Sequence, residues 1–446
     1  MREGKMPGIR IGRRRELRVT APRLMLLAAI ALLFVPAAGT AGPSAKSGSQ
    51  ATCRLSVFSW WTGGGEAAGL AKLIKTWNRN NPSCRFKNET VAGGAGSKAK
   101  AVLAQRLAAH KPPDSFQGHA GAELRDYITA KQIVPIDFIY RQYGFRKAMS
   151  KQLISQITYK GHIYSVPVNI HRANILWYNP KVLRRAGVTS APKTWSQFIA
   201  ALDKAKDANV IPLALAEQWT AVHLLETVMI ATIGPARWAG LWKKGADWSN
   251  PGVTLALNRY KTLLGYTNSD AASLTWQDAG KLVVDGKAAF NIMGDWQDGY
   301  FSGTKAGGNL ALKPKVDYNW APVPGTVGVY DWLSDSFTLP KGAPHRTAAI
   351  KWLGFLGSKK AQDQFNPVKG SIPARTDANP RLYGPYLKWA LTQWKTNKLA
   401  GSLAHGVVAP GAWYKDIDTA LGLFLQNKNV DRFQDALVTA AKRRAT

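Results

Sequence analysis

The segment from Cys53 to His119 leaves this chain the least freedom. An extended run over 54–61 precedes apolar residues at helical spacing (Ala67, Leu70, Ala71, Ile74, Trp77), closed by Asn81-Pro82. A second extended run, 85–91, leads through Gly93-Gly94-Ala95-Gly96 into a helix bearing Ala99, Val102, Leu103 and Leu107. Pro112-Pro113-Asp114 then opens a third strand ending at Gln117-Gly118-His119. Strand–helix–strand–helix–strand means a parallel sheet with right-handed crossovers, so the fold class is α/β. Ligands of such sheets bind beyond the carboxyl ends of the strands. Here those ends offer Trp60, Trp61, Glu66, the glycine loop, Gln117 and His119 to one crevice.

Further along, Tyr164 to Tyr178 reads as extended but is too long for one ordinary strand, which predicts a piece that leaves one sheet and enters another. A helical region follows over roughly 181–290, then short strands near 316–340. A chain of 446 residues favours two domains. With no repeats and no low-complexity linker, crossing strands are expected to join them. Cys53 and Cys84 each start an extended run. If those runs are neighbouring parallel strands, the thiols lie at the same sheet edge and can bridge; the alternative is two unpaired buried thiols.

The first 45 residues read as a cleavable signal peptide. Arg10, Arg13, Arg14, Arg15, Arg18 and Arg23 form a basic region, Leu24 to Ala38 is almost unbroken apolar sequence, and Gly39-Thr40-Ala41 supplies small residues for cleavage. Export changes how the charge reads. Without residues 1–41 the chain keeps 52 basic and 25 acidic residues, a surplus of 27. These are scattered rather than striped, and the longest basic cluster is Lys442-Arg443-Arg444, so nucleic acid is not an expected partner. An anionic membrane or wall surface, or an acidic medium, accounts better for the surplus.

Seventeen tryptophans suit stacking on the C–H faces of sugars, with carboxylates, amides, Lys and His bonding the hydroxyl rim. Trp60-Trp61 followed by Glu66 is the sharpest instance. Neighbours in a regular strand face opposite ways, so both indoles reach one cleft only at a strand end. The loop Gly93-Gly94-Ala95-Gly96-Ser97-Lys98 lacks the spacing of a phosphate-binding loop and reads as a tight strand-to-helix turn. The seven histidines form no metal-binding pair by spacing, and His110, His162 and His223 are read as structural. Glu66, Asp295 and Asp335 supply carboxylates for a glycosidase pair, but equally for sugar binding, and Ser336 lies in no nucleophile elbow. No catalytic signature, cofactor or metal is expected.

Together these pieces resemble the family 1 extracellular solute-binding proteins of ABC importers, in particular the glucose/mannose-binding branch. The resemblance rests on Val57-Phe58-Ser59-Trp60-Trp61 with Glu66-Ala67-Ala68-Gly69-Leu70, Ala92-Gly93-Gly94-Ala95-Gly96 and Pro112-Pro113-Asp114-Ser115-Phe116-Gln117-Gly118-His119-Ala120. It continues through Val166-Pro167-Val168-Asn169-Ile170-His171-Arg172, Met293-Gly294-Asp295-Trp296, Leu333-Ser334-Asp335-Ser336-Phe337 and Lys369-Gly370-Ser371-Ile372-Pro373-Ala374-Arg375. It implies a two-lobed periplasmic-binding-protein fold, similar to maltose-binding protein, with the ligand cleft between lobes joined by crossing hinge segments near 168, 330 and 362. The implied lobes are 52–168 plus 331–362 and 169–330 plus 363–446.

By the same resemblance Trp60 and Trp61 stack on the ligand, Glu66 accepts hydroxyl hydrogens, and Gln117 and His119 bond the rim. His171, Trp276, Asp295, Trp296, Asp335, Lys369 and His405 complete the set from the other lobe and the hinge. The expectation is a periplasmic or extracytoplasmic monomer without enzymatic activity. It would capture a monosaccharide (glucose, mannose or galactose) and deliver it to ABC transporter membrane permease subunits. An oligosaccharide binder of the same family and a secreted glycosidase are the alternatives.

Overall fold

The computed structural model describes residues 53–93 and 96–444; the expected signal peptide, 1–45, lies outside them. The strands of the opening segment, Arg54–Ser59, Arg85–Thr90 and Ser115–His119, pair in parallel as expected, with Arg54–Ser59 in the middle. Asp335–Thr338 joins antiparallel beside Ser115–His119, and Ser165–Pro167 pairs antiparallel with it, giving a five-stranded sheet. Cys53 and Cys84 are bonded at the edge where the first two strands begin, and Arg85 N donates to the Cys53 carbonyl at 2.8 Å.

The helix Gly64–Asn80 forms where the sequence predicts it and buries Leu70, Leu73 and Trp77. Its first turn must be glycine-rich because it meets another backbone. A Cβ on Gly65 would stand 2.6 Å from the Val368 carbonyl oxygen, at the end of the helix Lys359–Lys369 that packs along it. That contact brings Glu66 and Lys369, 303 residues apart, to the same place.

The extended run 164–178 is three strands in three sheets. Ser165–Pro167 belongs to the five-stranded sheet, and His171–Arg172 pairs with Val329–Leu333 in a three-stranded sheet that also holds Lys398–Gly401. Ile175–Tyr178 lies between Asn319–Pro322 and Ala288–Met293 in a four-stranded sheet completed by Ile211–Ala214. The chain returns between Leu333 and Asp335. It passes a third time beyond Lys369, where Ile372 bridges to Ile170. Two of these strands, Ile211–Ala214 and Ala288–Met293, lie in the stretch read as helical with turns; the first spans four residues and shows no alternation of apolar and polar side chains.

Two apolar cores result. One surrounds the five-stranded sheet, with Val57, Trp77, Phe116, Phe337 and Trp352. The other joins the four-stranded sheet to the helices Gln218–Gly240, Pro251–Leu264 and Gly411–Asn427 through Val222, Leu225, Tyr260, Phe290 and Phe424. The architecture is thus two α/β lobes with three chain passages between them. Among the described residues no helix is long and apolar enough to cross a membrane.

Candidate functional site

A cavity of about 310 Å³ opens where the strand ends of the two lobes face each other across the passages. Nine of the twelve residues singled out as ligand-binding line it: Trp60, Glu66, His119, His171, Trp276, Trp296, Asp335, Lys369 and His405. Trp60 is the last residue before the strand bends away, and Gly96 underlies its ring, since a Cβ there would lie 2.7 Å from the indole. Gly96 has φ +88, a backbone conformation that favours glycine. Lys100 Nζ lies 5.5 Å from the Trp60 ring centre, on which it makes a cation–π contact.

Trp61 does not stack in the cavity. Its side chain is 1 % exposed and packs between Phe337 and Phe365, at ring distances of 5.4 and 4.8 Å. Although the strand ends at Ser59, the alternation of sides carries on, and Trp61 takes the core side while Trp60 lines the cavity. Gln117 and Asp295 also stand behind the wall. Gln117 Oε1 accepts the Trp60 N–H at 3.2 Å while its Nε2 donates to Asp335 Oδ1 at 2.8 Å. Asp295 is wholly buried; it pairs with His171 Nδ1 and accepts the Arg172 N–H at 2.9 Å. These two hold Trp60, Asp335 and His171 in place.

Asp335 is the junction of the polar wall. Besides Gln117 it takes Asn169 Nδ2 at 2.7 Å, and Asn169 Oδ1 in turn accepts the Asp335 N–H at 2.8 Å. His171 Nε2 stands 3.4 Å from the same Asp335 Oδ2 that Asn169 bonds. Burial alone would raise the Asp335 carboxyl, but His171, Lys369 and His119 outweigh it and hold the group far below the carboxylate range. Burial and Lys369 push His171 down, yet Asp295 and Asp335 together carry it above its ordinary value. His405 is driven well below its ordinary value, chiefly by burial and then by His119, His223 and Lys100, and is neutral.

His119 is held by Glu123, Nδ1 to Oε2 at 2.8 Å, and Lys100 Nζ reaches the same oxygen at 2.7 Å. Lys369 Nζ donates to Glu66 Oε1 at 2.9 Å. Trp296 stands at the centre of the second lobe's face, 5.1 Å from the His405 ring, 5.4 Å from His171 and 6.5 Å from Trp276. Trp276 opens a helix whose capping box pairs Thr275 with Asp278 in both directions, which fixes the indole's approach.

Sequence reasoning missed Thr62, Lys98, Glu217, Trp219, Thr275 and Gln277, all of which line the cavity. Glu217 and Trp219 follow the strand Ile211–Ala214 and open the helix Gln218–Gly240, so the strand-end rule would have found them had that strand been recognised. Trp219 Nε1 donates to Glu217 Oε1 at 2.9 Å. The dismissed His162 is largely exposed beside Asp137, and His110 is exposed as well, away from the cavity. His223 is wholly buried behind His405, at a ring distance of 5.7 Å.

The lining therefore carries three carboxylates (Glu66, Glu217, Asp335) against two lysines (Lys98, Lys369) and three histidines (His119, His171, His405). Such a mixed set, interleaved with indoles, suits a polyhydroxylated ligand with apolar faces better than a simple ion.

Comparison with known proteins agrees on the family. The family model described as bacterial extracellular solute-binding protein matches residues 62–363. The chain belongs to that family. It is 35% identical over 429 residues to an uncharacterised ABC transporter extracellular-binding protein of Pyrococcus horikoshii, covering 94% of this chain and 95% of the relative. It is 29% identical to the xylose/arabinose-binding protein XacG of Haloferax volcanii, over 89% of this chain and 86% of that protein. Among solved structures, the bacterial solute receptor AcbH superposes with a TM-score of 0.76 at 19% identity, covering 88% of this chain and 98% of the receptor. The two-lobed fold expected from sequence is thus that of the solute receptors, and the family acts outside the cytoplasm as binding proteins rather than enzymes.

Proposed function

We propose that this protein is the extracytoplasmic sugar-binding subunit of an ABC importer, that it captures a monosaccharide between its lobes, and that it hands the sugar to membrane permease subunits. The observation that carries the reading is the cavity. Its 310 Å³ lie at the small end of ligand pockets, and Trp60, Trp296, Trp276 and Trp219 share it with a mixed ring of hydrogen-bonding groups. The names of the relatives support an ABC system and a sugar; the Haloferax protein's pentoses widen the candidate set beyond glucose, mannose and galactose.

The lobes we assign are 52–168 plus 331–362 and 169–330 plus 363–446, with one adjustment. The helix Lys359–Lys369 packs along Gly64–Asn80, so the third hinge passage follows Lys369 rather than residue 362. Capture is a hinge closure that removes the sugar from water. A wrong epimer leaves Asp335, Lys369 or a histidine unpaired in a dry site, which costs affinity. A signal peptide over 1–45 and a monomeric state complete the proposal.

A glycosidase would need one of its carboxyl pair to be a proton donor. Asp335 is held ionised by its neighbours and Asp295 is sealed behind His171, which disfavours that reading. The test is a titration of tryptophan fluorescence on protein unfolded and refolded to strip ligand, against glucose, galactose, mannose, xylose, maltose and cellobiose. Saturation by a monosaccharide without product formation supports the proposal. A response to disaccharides alone would replace it with an oligosaccharide binder.

A further inference from the structure

Behind the cavity wall three buried side chains converge without serving the ligand cavity as a set. His223 and Glu226 lie one turn apart on the helix Gln218–Gly240, and His405 comes from the turn after the strand Lys398–Gly401. One donor atom from each lies within 4.8 Å of the other two.

The imidazole of His223 is set up as a ligand. Its Nε2 donates to the Ala173 carbonyl at 3.0 Å, which fixes the tautomer and leaves Nδ1 with a lone pair. That Nδ1 has no hydrogen-bond partner, although the side chain is wholly buried. An imidazole whose second nitrogen is tied to a backbone carbonyl is the usual arrangement of a metal-bound histidine. The free nitrogen faces Glu226 Oε1 at 3.8 Å.

Glu226 has acceptor capacity at that oxygen. Its Oε2 takes the Leu403 and Ala404 N–H groups at 2.5 and 2.8 Å, while Oε1 meets the Ser402 hydroxyl at 2.9 Å, which also lies 3.0 Å from Oε2. Asp331, also wholly buried, lies against Glu226 and shares a side-chain hydrogen bond with it. A buried carboxyl oxygen and a lone imidazole nitrogen 3.8 Å apart make a position that a cation would satisfy.

We propose that His223, Glu226 and His405 form a site for a borderline divalent cation, zinc being the one that two imidazoles and a carboxylate fit best. Donors on one tetrahedral zinc stand about 3.3 Å apart, and never more than about 4.1 Å. His223 and Glu226 are therefore half an ångström from ligating distance, and binding must also draw in His405, whose Nδ1 lies 2.8 Å from the Ser402 hydroxyl. The metal would tie the helix Gln218–Gly240 to the turn that carries His405 into the cavity wall, so it would stabilise the fold whichever ligand the cavity takes.

The experiment uses the mature chain without a polyhistidine tag, stripped with a chelator. Zinc chloride is titrated by calorimetry, and cobalt(II) chloride by visible absorption. The expected result is one equivalent of zinc, intense tetrahedral cobalt bands and a raised unfolding midpoint with zinc. His223→Gln and Glu226→Gln are each expected to abolish the stoichiometric uptake and the bands. Near-UV circular dichroism shows that each variant is folded, independently of any sugar. Absence of stoichiometric uptake by the unaltered protein would overturn the proposal, as would undiminished uptake by folded His223→Gln, or an octahedral cobalt spectrum reporting exposed histidines instead.

Discussion

Replacing Asp335 by asparagine probes the polar wall at its junction. The substitution keeps the shape but removes the charge and turns one acceptor oxygen into an NH₂ donor. In the native protein the two oxygens accept from Gln117 Nε2 and Asn169 Nδ2, so the new amide must point its NH₂ at one of these donors. Neither neighbour can relieve the clash by flipping. Gln117 Oε1 is committed to Trp60 N–H and Asn169 Oδ1 to the backbone N–H of residue 335. One bond to a charged group is lost outright, about 1.5–3 kcal/mol. His171 also loses one of its two carboxylate neighbours but keeps Asp295. We therefore expect about 2–3 kcal/mol of destabilisation. The readout is the urea midpoint of the ligand-free protein, with ligand affinity measured alongside because Gln117 also positions Trp60. A loss below about 1 kcal/mol with unchanged affinity would refute the claim that Asp335 organises the wall.

The two adjacent indoles should separate cleanly. Trp61→Ala is expected to cost about 3–5 kcal/mol of stability with little change in affinity at low denaturant, because it empties core space between Phe337 and Phe365. Trp60→Ala should do the reverse, and equal effects from the two in paired unfolding and binding curves would contradict their placement. For Glu123, burial alone would raise the carboxyl, but Lys100 and His119 hold it at about 2. A depressed carboxyl stabilises above its unfolded value near 4.5, and that stabilisation is lost as pH falls from there toward about 2. Glu123→Gln should flatten that part of the stability–pH curve measured by urea unfolding, and an unaltered slope would count against the triad. Reduction of the Cys53–Cys84 bond, which closes a loop of sequence separation 31, is expected to cost about 3–4 kcal/mol. Thermal melts with and without reductant check this, and coincident melts would contradict it.

The first α/β segment was legible because its periodicities are local: of the expected apolar face Leu70 and Trp77 are buried, with Leu73 taking the place of Ala71, which is exposed. The over-long run 164–178 gave the lobe crossing for a simple reason, since no single sheet accommodates it. The three-stranded sheet was not legible, because His171–Arg172 is two residues long and its partners lie over 150 positions away. In the site, residue types and the family resemblance brought most lining residues forward, but not their rank. Trp61, Gln117 and Asp295 differ from Trp60, His119 and Trp296 only in which way each backbone position faces, and that is fixed by packing. The His223–Glu226–His405 cluster was invisible for a related reason. Its third member comes from 179 residues beyond Glu226, and no local spacing announces it.

The account stands or falls on what the cavity holds. Native mass spectrometry of the refolded, ligand-free protein, offered an equimolar mixture of hexoses, pentoses and disaccharides, reads the mass of the captured ligand directly. The account predicts one adduct per chain with the mass of a single hexose or pentose, lost in Trp60→Ala. A disaccharide adduct, or a bare protein with every sugar in excess, would contradict it.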